Sequence, residues 1–356
     1  MSDSTVKADL SYHLKSALSG VGIPTIIIAL FWVLTLFGGH FVGISIQSLL
    51  SDTLKRAGMN AVLVLAMVPA IQSGTGPNFA LPIGIECGLF AMVCSIEMGL
   101  MGVPWLLCSA ALCIPLAVIS GYAYGKLLNA VKGSEMTIAT YTGFSVTALL
   151  ALAWLTLPFT NPKMGWMMGT GLRETIQLDA VGAAQILNNF MMFSIGGVDV
   201  PTGLFLVFGV LALLVWLFFR SKMGIAISAG GINPKFALAA GLNIDRNRIW
   251  ANVLSTVLGA LGIIIYSQSF GYAQLYTAPL LMAFPAVAAI LVGGASASRA
   301  NVSNVVIGVF LLQGLFTTSL PVTNELFRGT DLSEIMRMVV QNGIILYALT
   351  QVKRGG

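Results

Sequence analysis

Charge is what this sequence has least of. Asp, Glu, Lys and Arg make up 9% of its 356 residues, whereas 57% are hydrophobic. A water-soluble domain carries about 25% charged residues, because it must present a polar exterior. Such scarcity excludes a soluble globular fold and points to a lipid bilayer, which removes that requirement. The chain is then best divided into membrane spans of roughly 20 residues each. Histidine is almost missing as well: His13 and His40 are the only two, and both flank the first apolar run. The body of the protein therefore has no imidazole for metal sites or for Ser–His chemistry. Cysteine is sparse and unpaired in pattern. Cys87, Cys94, Cys108 and Cys113 stand in apolar stretches with no CxxC spacing, and read as small buried membrane residues. A phosphate-binding loop is also lacking. Gly121-Tyr122-Ala123-Tyr124-Gly125-Lys126-Leu127 has the wrong spacing and no Ser or Thr to ligate magnesium.

What is present is a succession of apolar runs. They predict spans at Val21–Gly39, Met59–Ile71, Phe79–Met98, Val103–Tyr122 and Met136–Leu157. After a polar stretch, Pro158–Val200, come Pro201–Phe219, Ala251–Phe270, Pro279–Leu291, Val302–Ser319 and Ile335–Leu349. No small-residue cleavage pattern follows the first run, so it reads as a retained helix rather than a removable signal. The expected fold is all-α: a polytopic transmembrane helical bundle of about ten spans, occupying 1–356 as one unit.

Orientation follows from the basic residues, which concentrate in cytoplasmic loops. With both termini inside, 12 of the 18 Lys and Arg fall on the inner side, leaving six outside: Lys55, Arg56, Lys163, Arg173, Arg328 and Arg337. Residues 220–250 then form a cytoplasmic loop and 158–200 an extracytoplasmic one. The net charge of +5 is spread thinly through these loops. A nucleic-acid surface would gather it on one face.

Two spans look interrupted. Gln72-Ser73-Gly74-Thr75-Gly76-Pro77-Asn78 lies between apolar runs too close for an ordinary loop, and Gly293-Gly294-Ala295-Ser296-Ala297-Ser298-Arg299 repeats the feature later. Either both are broken, re-entrant segments beside a transport path, or both are glycine-rich turns at the membrane surface.

The most informative passage is Gly230–Gly241. Asn233 is a good N-cap, Pro234 suits the first helical position, and Gly241 can end the helix in the left-handed conformation. A helix of about seven residues, 234–240, rises only about 10 Å and cannot span. Phe236, Ala237, Leu238, Ala239 and Ala240 leave it almost no polar face. A helix so short and apolar must dock, either on its own chain and the membrane surface or on a partner.

The run Gly224–Gly271, with Gly231-Ile232-Asn233-Pro234, Ala237, Gly241-Leu242-Asn243-Ile244-Asp245 and Gly259, resembles the cytoplasmic loop and following helix of ABC importer permeases of the simple-sugar and branched-chain amino acid type. Nucleoside permeases are close relatives. Val292-Gly293-Gly294 within Ala286–Arg299, and the spacing onward to Asn342-Gly343, resemble the same family. The resemblance implies that 234–240 is a coupling helix seated in a groove of an ABC ATPase, with Asn233, Pro234, Phe236, Ala237, Ala240 and Gly241 carrying that contact. It further implies a second permease chain, an extracytoplasmic binding protein, and ATP with magnesium held by the ATPase rather than here. The chain itself would be no enzyme, and would lie in a bacterial inner membrane. One departure stands out. Sugar permeases usually carry a Gly-Gly-Ile-Asp-Leu-Ser-Val-Gly-like run where this chain has Ser73-Gly74-Thr75-Gly76-Pro77-Asn78-Phe79-Ala80, without the acid.

Glu86 is an acid inside an apolar span, which is costly unless it is neutral, paired or facing water. It could line the solute pathway or bond a backbone gap left by Gly84 and Gly88. Gln72 and Asn78 are pathway candidates at the broken segment. An ion-coupled carrier of a small polar solute is the alternative, and would have to rely on Glu86 and Glu97.

Overall fold

The computed structural model describes residues 23–166, 171–326 and 343. In chain order the helices are α1 (Ile23–Phe41), α2 (Ile46–Leu65), α3 (Met67–Gln72), α4 (Leu81–Glu97), α5 (Gly102–Ala130) and α6 (Glu135–Thr156). Then follow α7 (Ile186–Asn189), α8 (Thr202–Arg220), α9 (Lys222–Ile232), α10 (Pro234–Ala239), α11 (Ile244–Phe270), α12 (Ala278–Val292) and α13 (Val302–Leu326). Among the described residues, six stretches are long and apolar enough to cross a membrane: Ile46–Gln72, Gly102–Ala130, Glu135–Thr156, Thr202–Arg220, Ile244–Phe270 and Val302–Ser319. Thr25–Phe41 and Ala278–Val292 are apolar but shorter. The expected tenth span, Ile335–Leu349, lies outside the described residues.

The second span needs correcting. Its helix begins at Ile46, not Met59, and carries Asp52, Lys55 and Arg56 within it. Those charges share one face of α2 with Met59 and line a cavity, so an amphipathic helix had the look of a loop. The polar stretch 158–200 is not plain loop either. It holds β1 (Thr175–Gln177), α7, β2 (Phe193–Ile195) and β3 (Val198–Val200). Strand β1 pairs antiparallel with β4 (Tyr272–Gln274), with Thr175 opposite Gln274, and β2 pairs with β3.

Burial sorts the helices into a centre and a rim. α4 and α11 are buried along most of their length and pack on each other, on α5, and, for α11, on α2. A Cβ at Gly84 or Gly88 would strike the α11 backbone at Thr256 or Ala260, so these glycines set the close approach of the two helices. Small residues at such contacts let backbones meet where lipid offers no hydrophobic drive. The outward faces of α5, α6 and α8 carry exposed Leu107, Ile119, Leu149, Leu152, Leu213 and Leu214. That is the pattern of a lipid-facing rim.

The bundle has two distinct ends. At the strand end, β1–β4 ties the 158–200 segment to α11, and Glu97 at the close of α4 accepts from Thr160 N and Asn161 N at 3.0 and 3.1 Å. At the opposite, turn end lie α9, α10 and the two glycine-rich segments. These segments differ in kind. Ser73, Thr75, Asn78, Phe79 and Ala80 are buried, whereas Gly294, Ser296 and Arg299 are exposed in a turn closing the α12–α13 hairpin.

Candidate functional site

Local chemistry builds α10 as the sequence leads one to expect. Asn233 Oδ1 accepts from Phe236 N at 3.0 Å, Pro234 starts the first turn, and Gly241 closes the helix at φ +76°. Ala237 is the one residue of α10 fully buried, at 0% exposure, against α9 and the start of α11. Phe236 is 66% exposed and Leu238 63% exposed. Ala240 is exposed beside them. The grouping of Ala237 with the docking residues is thereby corrected, because its side chain faces the protein and anchors the helix. Leu238 belongs to the outward surface instead. A helix this short cannot be assigned faces by sequence periodicity alone, so neither could have been read in advance.

The ground beneath α10 is closely packed. Gly231 lies against the 72–74 turn so closely that a Cβ at Gly74 would sit 2.9 Å from Gly231 Cα. Gln72 joins three elements: Nε2 donates to Ala300 O at 2.6 Å, and Oε1 accepts from Ser228 Oγ on α9. Lys132 pairs with exposed Asp245, and Arg248 pairs with Glu135, both groups of the second pair being largely buried. These ion pairs line a 730 Å³ groove beside α10.

Asn78 is spent on structure. Its Nδ2 donates to Ser255 Oγ at 2.8 Å, while its Oδ1 accepts from Ala80 N at 3.0 Å and Tyr124 OH at 3.2 Å. Ser255 Oγ in turn donates to Ala66 O at 2.6 Å, at the α2–α3 break. Pro69 explains that break, since it has no N–H to offer the preceding turn. Irregular backbone at membrane depth is tolerated where protein satisfies it. Gln72 and Asn78 thus act as braces here, and neither lines the cavity at the strand end. Glu86 is 1% exposed, and neither of its oxygens has a hydrogen-bond partner among the described residues. It does not bond the backbone beside Gly84 and Gly88, and it is not on the wall of either large cavity.

A second cavity, of 640 Å³, opens at the strand end between α2, α7, α11 and α13. Asp52, Lys55 and Arg56 stand on its α2 wall. Nothing in the sequence reading singled it out as a site, because its residues come from four separate stretches.

Comparison with known proteins finds a matching family profile and several relatives. The profile of the family described as "Branched-chain amino acid transport system / permease component" matches residues 49–349. A nucleoside ABC transporter permease protein of Lactococcus lactis subsp. cremoris is 28% identical over 193 residues, covering 52% of this chain and 52% of that one. The chain thus spans about half the length of that relative. A galactofuranose transporter permease protein of Escherichia coli is 26% identical over 81% of this chain and 75% of its own length. A ribose import permease protein of Escherichia coli is 24% identical, covering 84% of each.

Proposed function

Because the chain belongs to this permease family of ABC transporters, whose transmembrane subunits are not catalytic, we propose that it forms the solute path of an ATP-driven importer and receives its driving force at α10. The ATP and magnesium belong to the partner ATPase. The observation that carries this reading is the outward pair Phe236 and Leu238 on a helix whose one fully buried side chain is Ala237. Apolar side chains displayed on a capped, braced knob suit insertion into a groove of another protein.

The turn end is then the cytoplasmic side. Lys126, Lys132, Arg220, Lys222, Lys235 and Arg246 gather there, as the positive-inside tendency favours. Counted by element order, α1, α2 with α3, α4, α5, α6, α8, α11, α12 and α13 make nine crossings among the described residues. The solute enters at the strand end from an extracytoplasmic binding protein, and two permease chains together enclose the path. Closure of two ATPase subunits on ATP would favour one orientation of the path by binding it better than the other. The relatives named for ribose, galactofuranose and nucleosides make a small polyhydroxylated solute the natural cargo.

The test is a reconstituted importer carrying Phe236→Asp. Solute-stimulated ATP hydrolysis and uptake should both fall by at least about tenfold, as removal of a buried apolar anchor does at other interfaces. Membrane insertion should be unchanged, because Phe236 makes no part of the core. Normal uptake by correctly inserted Phe236→Asp would overturn the docking role.

A further inference from the structure

The short strands at the strand end frame a cavity smaller than the two described above. β1 and β4 pair so that Gln177 stands opposite Tyr272 and Ile176 opposite Ala273. Side chains alternate between the two faces of such a pair. Ile176 and Ala273 take the inner face, at 1% and 0% exposure, which turns Gln177 and Tyr272 outward together. Beyond them the chain folds over the end of α11. Leu178 N donates to Gly271 O at 3.0 Å, Gln185 N to Gln268 O at 2.6 Å, and Leu187 N to Gln268 Oε1 at 3.1 Å. That frame holds Gln185 at φ +55°, a left-handed conformation uncommon outside glycine.

The result is a pocket of 400 Å³ lined by Gln177, Asp179, Gln185 and Asn189, with Phe270 and Tyr272. Its volume lies within the range of about 300–1,000 Å³ usual for small-molecule sites. All four polar side chains are exposed, and no hydrogen bond or ion pair among the described residues engages them. Amide and carboxylate groups set two polar atoms side by side, which matches a pair of neighbouring hydroxyls. Phe270 and Tyr272 meet edge to face with their centroids 5.7 Å apart. An aromatic face carries negative charge density and suits the C–H side of a sugar ring.

Gln185, Asn189 and Phe270 also line the 640 Å³ cavity, so the two spaces adjoin. The larger wall is balanced in charge, with Lys55 and Arg56 against Asp52 and Asp199. The smaller wall carries Asp179 and no cation. Asp179 therefore sets the sign of the pair.

Resting on the importer reading above, we propose that the small pocket receives the solute before it enters the larger cavity. It takes a neutral polyhydroxylated molecule, a sugar or the sugar moiety of a nucleoside, and turns away an anionic one. Hydroxyls meet Asp179 and the amides of Gln177, Gln185 and Asn189, and the ring rests on Tyr272. A carboxylate or phosphate on the solute is repelled by Asp179.

The full chain in lipid nanodiscs is titrated with ribose, galactose, uridine and glucuronate at matched ionic strength. NMR reads saturation transfer from the protein to the ring protons of each probe. At least one neutral probe should bind saturably. Glucuronate should bind about fivefold more weakly than the best of them, the factor one repelling charge about 4 Å away supplies in water. Asp179→Asn, which keeps an acceptor and loses the charge, should bring glucuronate level. Tyr272→Ala and Asn189→Ala should each weaken the best probe by about fivefold. Should Tyr272→Ala fail to fold, Asn189→Ala decides. No saturable binding of any neutral probe, or glucuronate binding as tightly as they do, overturns the proposal. So does unchanged binding in a folded Tyr272→Ala variant, which would put the sugar elsewhere, or transfer confined to the base of uridine. Probe binding is measured without an ATPase, so its outcome is independent of the docking test at Phe236, and either reading can fail alone.

Discussion

Glu86 is the only buried acid among the described residues, and it has no partner. Placing a group there that asks for no hydrogen bond removes a cost without removing a contact. Glu86→Met should therefore stabilise the protein by about 1–3 kcal/mol, seen as a higher unfolding midpoint in detergent. A lower midpoint would show that the carboxyl is engaged after all. Sequence could flag Glu86, since an acid stands out in an apolar run, but it could not choose between pathway and backbone roles. Those depend on where Ile83, Phe90 and the neighbouring helices stand, which is tertiary information. Ala237 teaches the same lesson from the other side. In a six-residue helix made almost wholly of apolar residues, nothing local distinguishes the buried alanine from the exposed ones.

Among the elements, α10 was the most legible, because a cap, a proline and a closing glycine are written within nine residues. The bracing beside it was not legible, because it joins residues far apart in sequence. Gln72 reaches Ser228 across 156 positions and Ala300 across 228. Gln72→Ala and Ser228→Ala should each lower the ratio of solute moved to ATP hydrolysed in the reconstituted importer. The double variant should be no worse than Gln72→Ala alone, as expected when two side chains serve one bond. Strictly additive losses would mean that the two act independently. The α2 boundary was misjudged for a physical reason: a helix wall facing a wet cavity is polar there, so hydropathy takes its first three turns for a loop. The three-residue strands at 175–177, 193–195, 198–200 and 272–274 are shorter than any periodicity can register.

For the molecule as a whole, span order could be read directly, because a bilayer permits little except apolar helices. Sidedness rests on the basic residues and is open to direct measurement. In a variant with the four native cysteines replaced by alanine, Lys235→Cys should react with a membrane-impermeant maleimide only from the cytoplasmic face. Met191→Cys, exposed beside the β2–β3 hairpin, should react only from outside. Reversal of either result would invert the molecule and move α10 away from any ATPase.

The buried turn at 73–80 also has a bearing on biogenesis. Asn78 finds Tyr124 46 residues later and Ser255 177 residues later. While the ribosome is still making the chain, Asn78 Nδ2 lacks its partner Ser255. It must stay wet or borrowed by the insertion machinery until α11 arrives. Nascent chains stopped short of Ser255 should therefore be open to proteolysis at this turn, and those extended past α11 should be protected, so that the last-made half of the protein seals the first.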